Sequence, residues 1–110
     1  MHEYAFVEAL LEAAARQADA VHATAVRKLV VRVGDLAGLD AVLFRRAFET
    51  FRERTLCAGA EMDLVCEAPR WECRRCSAEL SSPLPCPCGG NAFLAGGGEV
   101  LLQRIEMEVP

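Results

Sequence analysis

Between Phe6 and Gln17 apolar residues recur at three- and four-residue intervals. Phe6, Val7, Leu10, Leu11, Ala13 and Ala14 fall on one side and Glu8, Glu12 and Arg16 on the other. A period near 3.6 predicts an amphipathic helix. The period then drops to two. Leu29, Val31 and Val33 alternate with Lys28, Val30 and Arg32 as far as Gly34, which predicts a strand. Gly34-Asp35-Leu36-Ala37-Gly38-Leu39 carries the glycines of a turn. Asp40 then stands where it can cap a helix whose Phe44, Ala47, Phe48 and Phe51 share a face, ending near Thr55. Met62, Leu64 and Cys66 alternate with Glu61, Asp63 and Glu67 in a second strand. Leu101, Gln103, Ile105, Met107 and Val109 alternate with Arg104, Glu106 and Glu108 in a third.

Between these last two strands the pattern disappears. Residues 70–98 hold four cysteines, three prolines and five of the eight glycines, with few large apolar side chains. Such a stretch cannot fold on a hydrophobic core. The whole chain has 110 residues, the size of one ordinary domain, so a second unit must be small and held by a metal or a disulfide. The expected fold class is α+β: a small three-stranded sheet with two helices, plus an inserted zinc-ribbon domain. One unit would comprise residues 1–69 and 99–110, the other residues 70–98.

Composition narrows the choice of bond. The chain is 53% apolar and 25% charged, and no run approaches the roughly 18 apolar residues of a membrane span. Glu3 and Glu8 lie where a secretory signal would carry positive charge, so a cytoplasmic protein is expected. In that compartment disulfides are rare, and clustered cysteines read first as metal ligands. A net charge of −4 argues against general affinity for nucleic-acid backbones.

Cys73 and Cys76 form a C-x-x-C pair, and Cys86 and Cys88 a C-x-C pair separated from it by nine residues. Four thiolates in two tight pairs suit tetrahedral structural zinc, whereas a catalytic zinc would keep one position open. A redox dithiol is the alternative. Cys86-Pro87-Cys88 is one residue shorter than the usual knuckle, and Gly89 and Gly90 can let the backbone turn back past a metal. Cys57 and Cys66 read as small buried hydrophobes.

Met1-His2-Glu3 offers an α-amine, an imidazole at position two and an acid at position three, just ahead of a helix. Amine, backbone amide and imidazole nitrogens favour square-planar Ni(II) or Cu(II). The alternative is a solvated terminus. His22 has no partner nearby in sequence and reads as a surface or loop histidine. Two other classes stay open on the residues alone: a nucleic-acid or transcription module using Arg70, Arg74 and Arg75 beside Trp71, and a thiol oxidoreductase using Cys73 and Cys76.

Taken in order, the opening Met1-His2-Glu3 and its helix, the Val33-Gly34-Asp35-Leu36-Ala37-Gly38 turn after a strand, the Phe44-to-Phe51 helix and the paired cysteines before a final strand resemble the HypA/HybF family. Its members are nickel chaperones of hydrogenase maturation. The resemblance spans nearly the whole chain and departs from the family in the C-x-C pair, where C-x-x-C is usual. It implies a nickel metallochaperone and not an enzyme, with transferred Ni(II) at Met1, His2 and Glu3 and structural Zn(II) at Cys73, Cys76, Cys86 and Cys88. It also implies two partners: a nickel-handling GTPase and a [NiFe]-hydrogenase large-subunit precursor, with urease assembly served by some members. Neither nucleic acid nor membrane is expected as a partner, and a homodimer is an allowed assembly.

Overall fold

The structure is a computed structural model that describes residues 2–110; the side chain of His2, like all of Met1, lies outside the described part. Helix α1 runs His2–Ala20, strand β1 Ala25–Gly34, helix α2 Ala41–Phe51 and strand β2 Glu61–Glu67. Three short strands follow, β3 Arg70–Cys73, β4 Glu79–Leu80 and β5 Ala92–Gly96, and β6 Val100–Glu108 closes the chain. Two three-stranded sheets result. The first has the order β2-β1-β6, and the second, within the cysteine segment, the order β4-β3-β5. β1 pairs β2 in parallel and β6 antiparallel. Parallel neighbours need a crossover, and α2 supplies it.

Helix α1 begins earlier and ends later than its apolar pattern. Glu3, Val7, Leu10, Ala14 and Ala18 form its buried stripe, and the small Ala14 and Ala18 let the helix approach the sheet. Leu29, Val31, Phe44, Phe48 and Met62 complete the core against it. Asp40 caps α2 as expected, its carboxylate accepting the Leu43 N–H at 3.1 Å. α2 stops at Phe51, short of Thr55. Arg45 and Arg52 donate to the carbonyls of Met62 and Ala60, at 2.9 and 2.7 Å, and so tie α2 to β2.

Two register shifts change which residues face inward. One lies between Val26 and Lys28, so Val26 and Leu29 are both buried although three residues apart. The other lies opposite Val30/Val31, and on β6 it turns Val100, Leu102, Ile105 and Met107 to the core while Leu101 is 46% exposed. The expected inward placement of Leu101 is therefore corrected: a bulge adds a residue and reverses the alternation beyond it. Cys66, expected to be buried, is exposed, because burial along β2 fades from Met62 through Leu64 to Cys66. Cys57 is buried as expected.

The second sheet has almost no interior. Trp71 pairs across to Leu80 and Leu94, all incompletely buried, and in residues 70–98 the only buried residues are Cys73, Cys86, Gly90 and Gly97. The radius of gyration is 17.3 Å, above the roughly 13 Å of a compact chain of this length, and the long axis is 54 Å. Among the described residues no helix is long and apolar enough to cross a membrane.

Phe44 lies at 0% exposure in the core cluster. Phe44→Ala should lower unfolding free energy by about 3–5 kcal/mol in urea titration; a loss below about 1 kcal/mol would mean that Phe44 is not central to the core.

Candidate metal centre

Each cysteine pair sits on a hydrogen-bonded turn. In the first, β3 ends at Cys73, whose N–H donates to the Ala78 carbonyl at 2.9 Å while its own carbonyl accepts the Ser77 N–H at 3.0 Å. Ser77 takes the left-handed conformation, φ 63°. This turn aims the N–H groups of Arg75 and Cys76 at the Cys73 sulfur, at 3.3 and 3.5 Å. In the second, the Gly89 N–H donates to the Cys86 carbonyl at 2.8 Å and the Cys86 N–H to the Gly90 carbonyl at 3.0 Å. Gly89 has φ +91°, and a Cβ on Gly90 would lie 2.5 Å from the Cys73 sulfur. These glycines compensate for the missing residue of the C-x-C pair: one reverses the chain and the other lets it pass against the first turn.

All four sulfurs lie within 4.8 Å of one another. Cys73 Sγ is 3.5 Å from Cys88 Sγ, and Cys76 Sγ is 3.7 Å from Cys86 Sγ. A tetrahedral ion with bonds of about 2.3 Å to sulfur needs edges of about 3.8 Å, so the cluster fits zinc in size and donor type. Cys73 and Cys86 are buried, whereas Cys76 and Cys88 reach the surface. The four thiols do not meet the same surroundings. The Cys76 N–H, helped by that of Arg75, pulls the Cys73 thiol down to about 6 despite burial. The Gly90 N–H acts in the same direction on Cys88, but its contact with Cys73, its burial and its other cysteine neighbours push it up to about 12. A divalent cation removes that conflict by making every thiolate favourable. Arg75 Nη1 donates to the Cys88 carbonyl at 3.0 Å and braces the two turns against each other.

The other expected site lies at the start of α1. Met1 and the imidazole of His2 fall outside the described part, so the structure places only Glu3 of that set. Glu3 is 5% exposed, and its carboxylate accepts the Asp40 N–H at 3.1 Å. The hydrogen bonds and positive charge that its carboxylate meets, that of the Asp40 N–H among them, hold its carboxyl down to about 2 from the ordinary 4.5. Glu3 thus anchors the start of α1 to the residue that caps α2. The sequence marks Asp40 as a cap; its second contact joins positions 37 residues apart and leaves no local pattern.

Cys73→Ala should remove the metal and unfold residues 70–98 while the first sheet persists, read by zinc analysis and amide NMR spectra; a folded, metal-free segment would contradict the fit. Glu3 gives a pH prediction. A carboxyl with a lowered folded value stabilises fully above about 4.5, and that contribution is lost as pH falls through about 2. Its NMR titration should therefore have a midpoint near 2; a midpoint near 4.5 would mean that the anchoring contacts are absent in solution.

The family model described as "Hydrogenase/urease nickel incorporation, metallochaperone, hypA" matches residues 1–107. The hydrogenase maturation factor HypA of Wolinella succinogenes is 36% identical, over 98% of this chain and 96% of its own length. The hydrogenase/urease maturation factor HypA of Helicobacter pylori is 34% identical over 97% of each. The solution structure of the nickel metallochaperone HypA from Helicobacter pylori superposes with a TM-score of 0.79 at 31% identity, covering 98% of each chain. Another HypA solution structure reaches 0.82 at 33% identity, covering 97% of this chain and 96% of that one. With its four-cysteine metal site and two-sheet α+β fold, the chain belongs to the HypA family of nickel-incorporation metallochaperones, a family of chaperones and not of enzymes.

Proposed function

We propose that this chain carries Ni(II) at its first residues and hands it on for [NiFe]-hydrogenase maturation, while zinc in the four-cysteine ribbon is structural. Residues 1–69 with 99–110 form the nickel-handling unit, and residues 70–98 the zinc-stapled one. The α-amine of Met1, the imidazole of His2 and backbone nitrogens of the first residues supply the nickel ligands, with Glu3 contributing or tuning the site. The observation that carries this reading is membership of a nickel-incorporation family in a chain whose first helix starts at His2.

That start has a chemical consequence. The first four N–H groups of a helix have no carbonyl one turn back, so the backbone ladder of α1 does not depend on the nitrogens at its start. They can enter a metal site without unwinding α1. A cation at a helix N-terminus meets the positive end of the macrodipole. A deprotonated backbone amide and the Glu3 carboxylate offset that charge. Nitrogen donors of this kind favour square-planar nickel, and ligands at the end of a chain can be displaced one at a time by a competing acceptor. Delivery needs that reversibility. Because the amine and imidazole must lose protons to bind, affinity should fall with pH.

The zinc in turn would supply the binding free energy, about 10–16 kcal/mol for structural sites, that the ribbon's apolar residues cannot. The acceptors are a nickel-handling GTPase and a [NiFe]-hydrogenase large-subunit precursor, in the cytoplasm.

An N-terminal extension should abolish nickel uptake in calorimetry and leave one zinc per chain, and His2→Ala should do the same with the fold intact. Undiminished nickel affinity in both would end the terminal assignment.

A further inference from the structure

The two connections between the sheets pass each other against the C-terminal end of β1. There is no room for a side chain there. A Cβ on Gly34 would stand 2.2 Å from the carbonyl carbon and oxygen of Gly97, and one on Gly97 would stand 2.6 Å from the Ala68 oxygen and the Pro69 Cα. Gly97 also takes φ +85°. Backbone bonds fasten the crossing, from Gly34 N–H to the Glu99 carbonyl at 2.8 Å and from Leu36 N–H to the Gly97 carbonyl at 2.9 Å.

Glu67, the last residue of β2, adds a side-chain link. One carboxylate oxygen accepts the Gly97 N–H at 2.8 Å, and the other lies 3.2 Å from Arg32 Nη1 on β1. The peptide groups on both sides of Gly97 are therefore held, one N–H by Glu67 and one carbonyl by Leu36. Leu36 sits in the 3-10 turn Asp35–Ala37, which leads through left-handed Gly38 to Asp40, and the Asp40 N–H donates to Glu3. An unbroken run of hydrogen bonds and short backbone links thus joins the ribbon's base to the start of the chain.

We propose that Glu67 is a positioning residue for nickel handling: it fixes the ribbon at the end of β1 and, through the Leu36 turn, holds Asp40 where it anchors the chain's start. The inference rests on the terminal nickel reading. The half-exposed ion pair with Arg32 contributes little by itself. The charge-assisted bond to Gly97 is the stronger part, since losing it leaves a buried N–H without an acceptor. With that bond gone the ribbon can swing on residues 68–69 and 97–99.

The test compares Glu67→Ala and Glu67→Gln with the native zinc-loaded full chain. Three quantities are read: hydrogen exchange at the Gly97 and Leu36 amides, ribbon orientation from residual dipolar couplings, and nickel affinity from calorimetry. Glu67→Ala should speed exchange at Gly97 by about tenfold, average the ribbon's couplings and weaken nickel by at least about fivefold. Glu67→Gln keeps a carbonyl oxygen for the Gly97 N–H and should restore all three. Unchanged exchange and couplings in Glu67→Ala would overturn the clasp. Loosened couplings with native nickel affinity would overturn its link to the nickel end. A Gln variant as loose as Ala would overturn the assignment to the Gly97 bond. Failure of the terminal nickel reading itself is seen separately, in a native-sequence chain with a masked start, and leaves the exchange and coupling results to judge the clasp.

Discussion

Four sulfurs within 4.8 Å of one another stand at the centre of residues 70–98, where a hydrophobic core is missing. The other features of that segment follow from this constraint. Its strands are short because there is no core to extend over, and its turns are built so that backbone N–H groups face sulfur. Gly90 is buried because two turns must touch. Two backbone N–H groups aimed at Cys73 lower its thiol, and its sulfur neighbours raise that of Cys88. The first sheet is built on the opposite principle. There a conventional core of Phe44, Leu29, Val31 and Val7 closes the structure.

The two sheets are joined by segments that meet backbone against backbone. Gly34 and Gly97 let three segments approach to distances that any Cβ would forbid, and Glu67 closes the contact with one side chain. The same turn that receives Gly97 leads to Asp40 and Glu3. In a metallochaperone whose proposed nickel ligands lie at the start of α1, this arrangement puts the ribbon's base and the nickel end on one continuous framework. The ribbon then need not contribute ligands to affect how the cargo is held.

Much of this was legible in the sequence. The periods of three to four and of two located both helices and the three long strands, and the cysteine pairs with their following glycines marked the ribbon, because ligand spacing is local information. What escaped was non-local. Val26 and Leu29, like Leu102 and Ile105, face the same way across bulges, and nothing within either strand announces the extra residue. Cys66 carries the inward phase of β2 but lies where the cover over the sheet runs out. The roles of Glu67, Arg45 and Arg52 depend on backbone groups 30, 17 and 8 residues away. The first residues were legible as donor chemistry only: α-amine, imidazole and carboxylate name a kind of metal, not an arrangement.

The central claim is that cargo and staple occupy different donor sets, nitrogen and oxygen at one end and sulfur at the other. X-ray absorption at the nickel edge, on the zinc-loaded full chain with one equivalent of nickel, tests it most directly. The account predicts a nickel coordination shell of nitrogen and oxygen alone, with zinc still surrounded by four sulfurs. Sulfur in the nickel shell would contradict it.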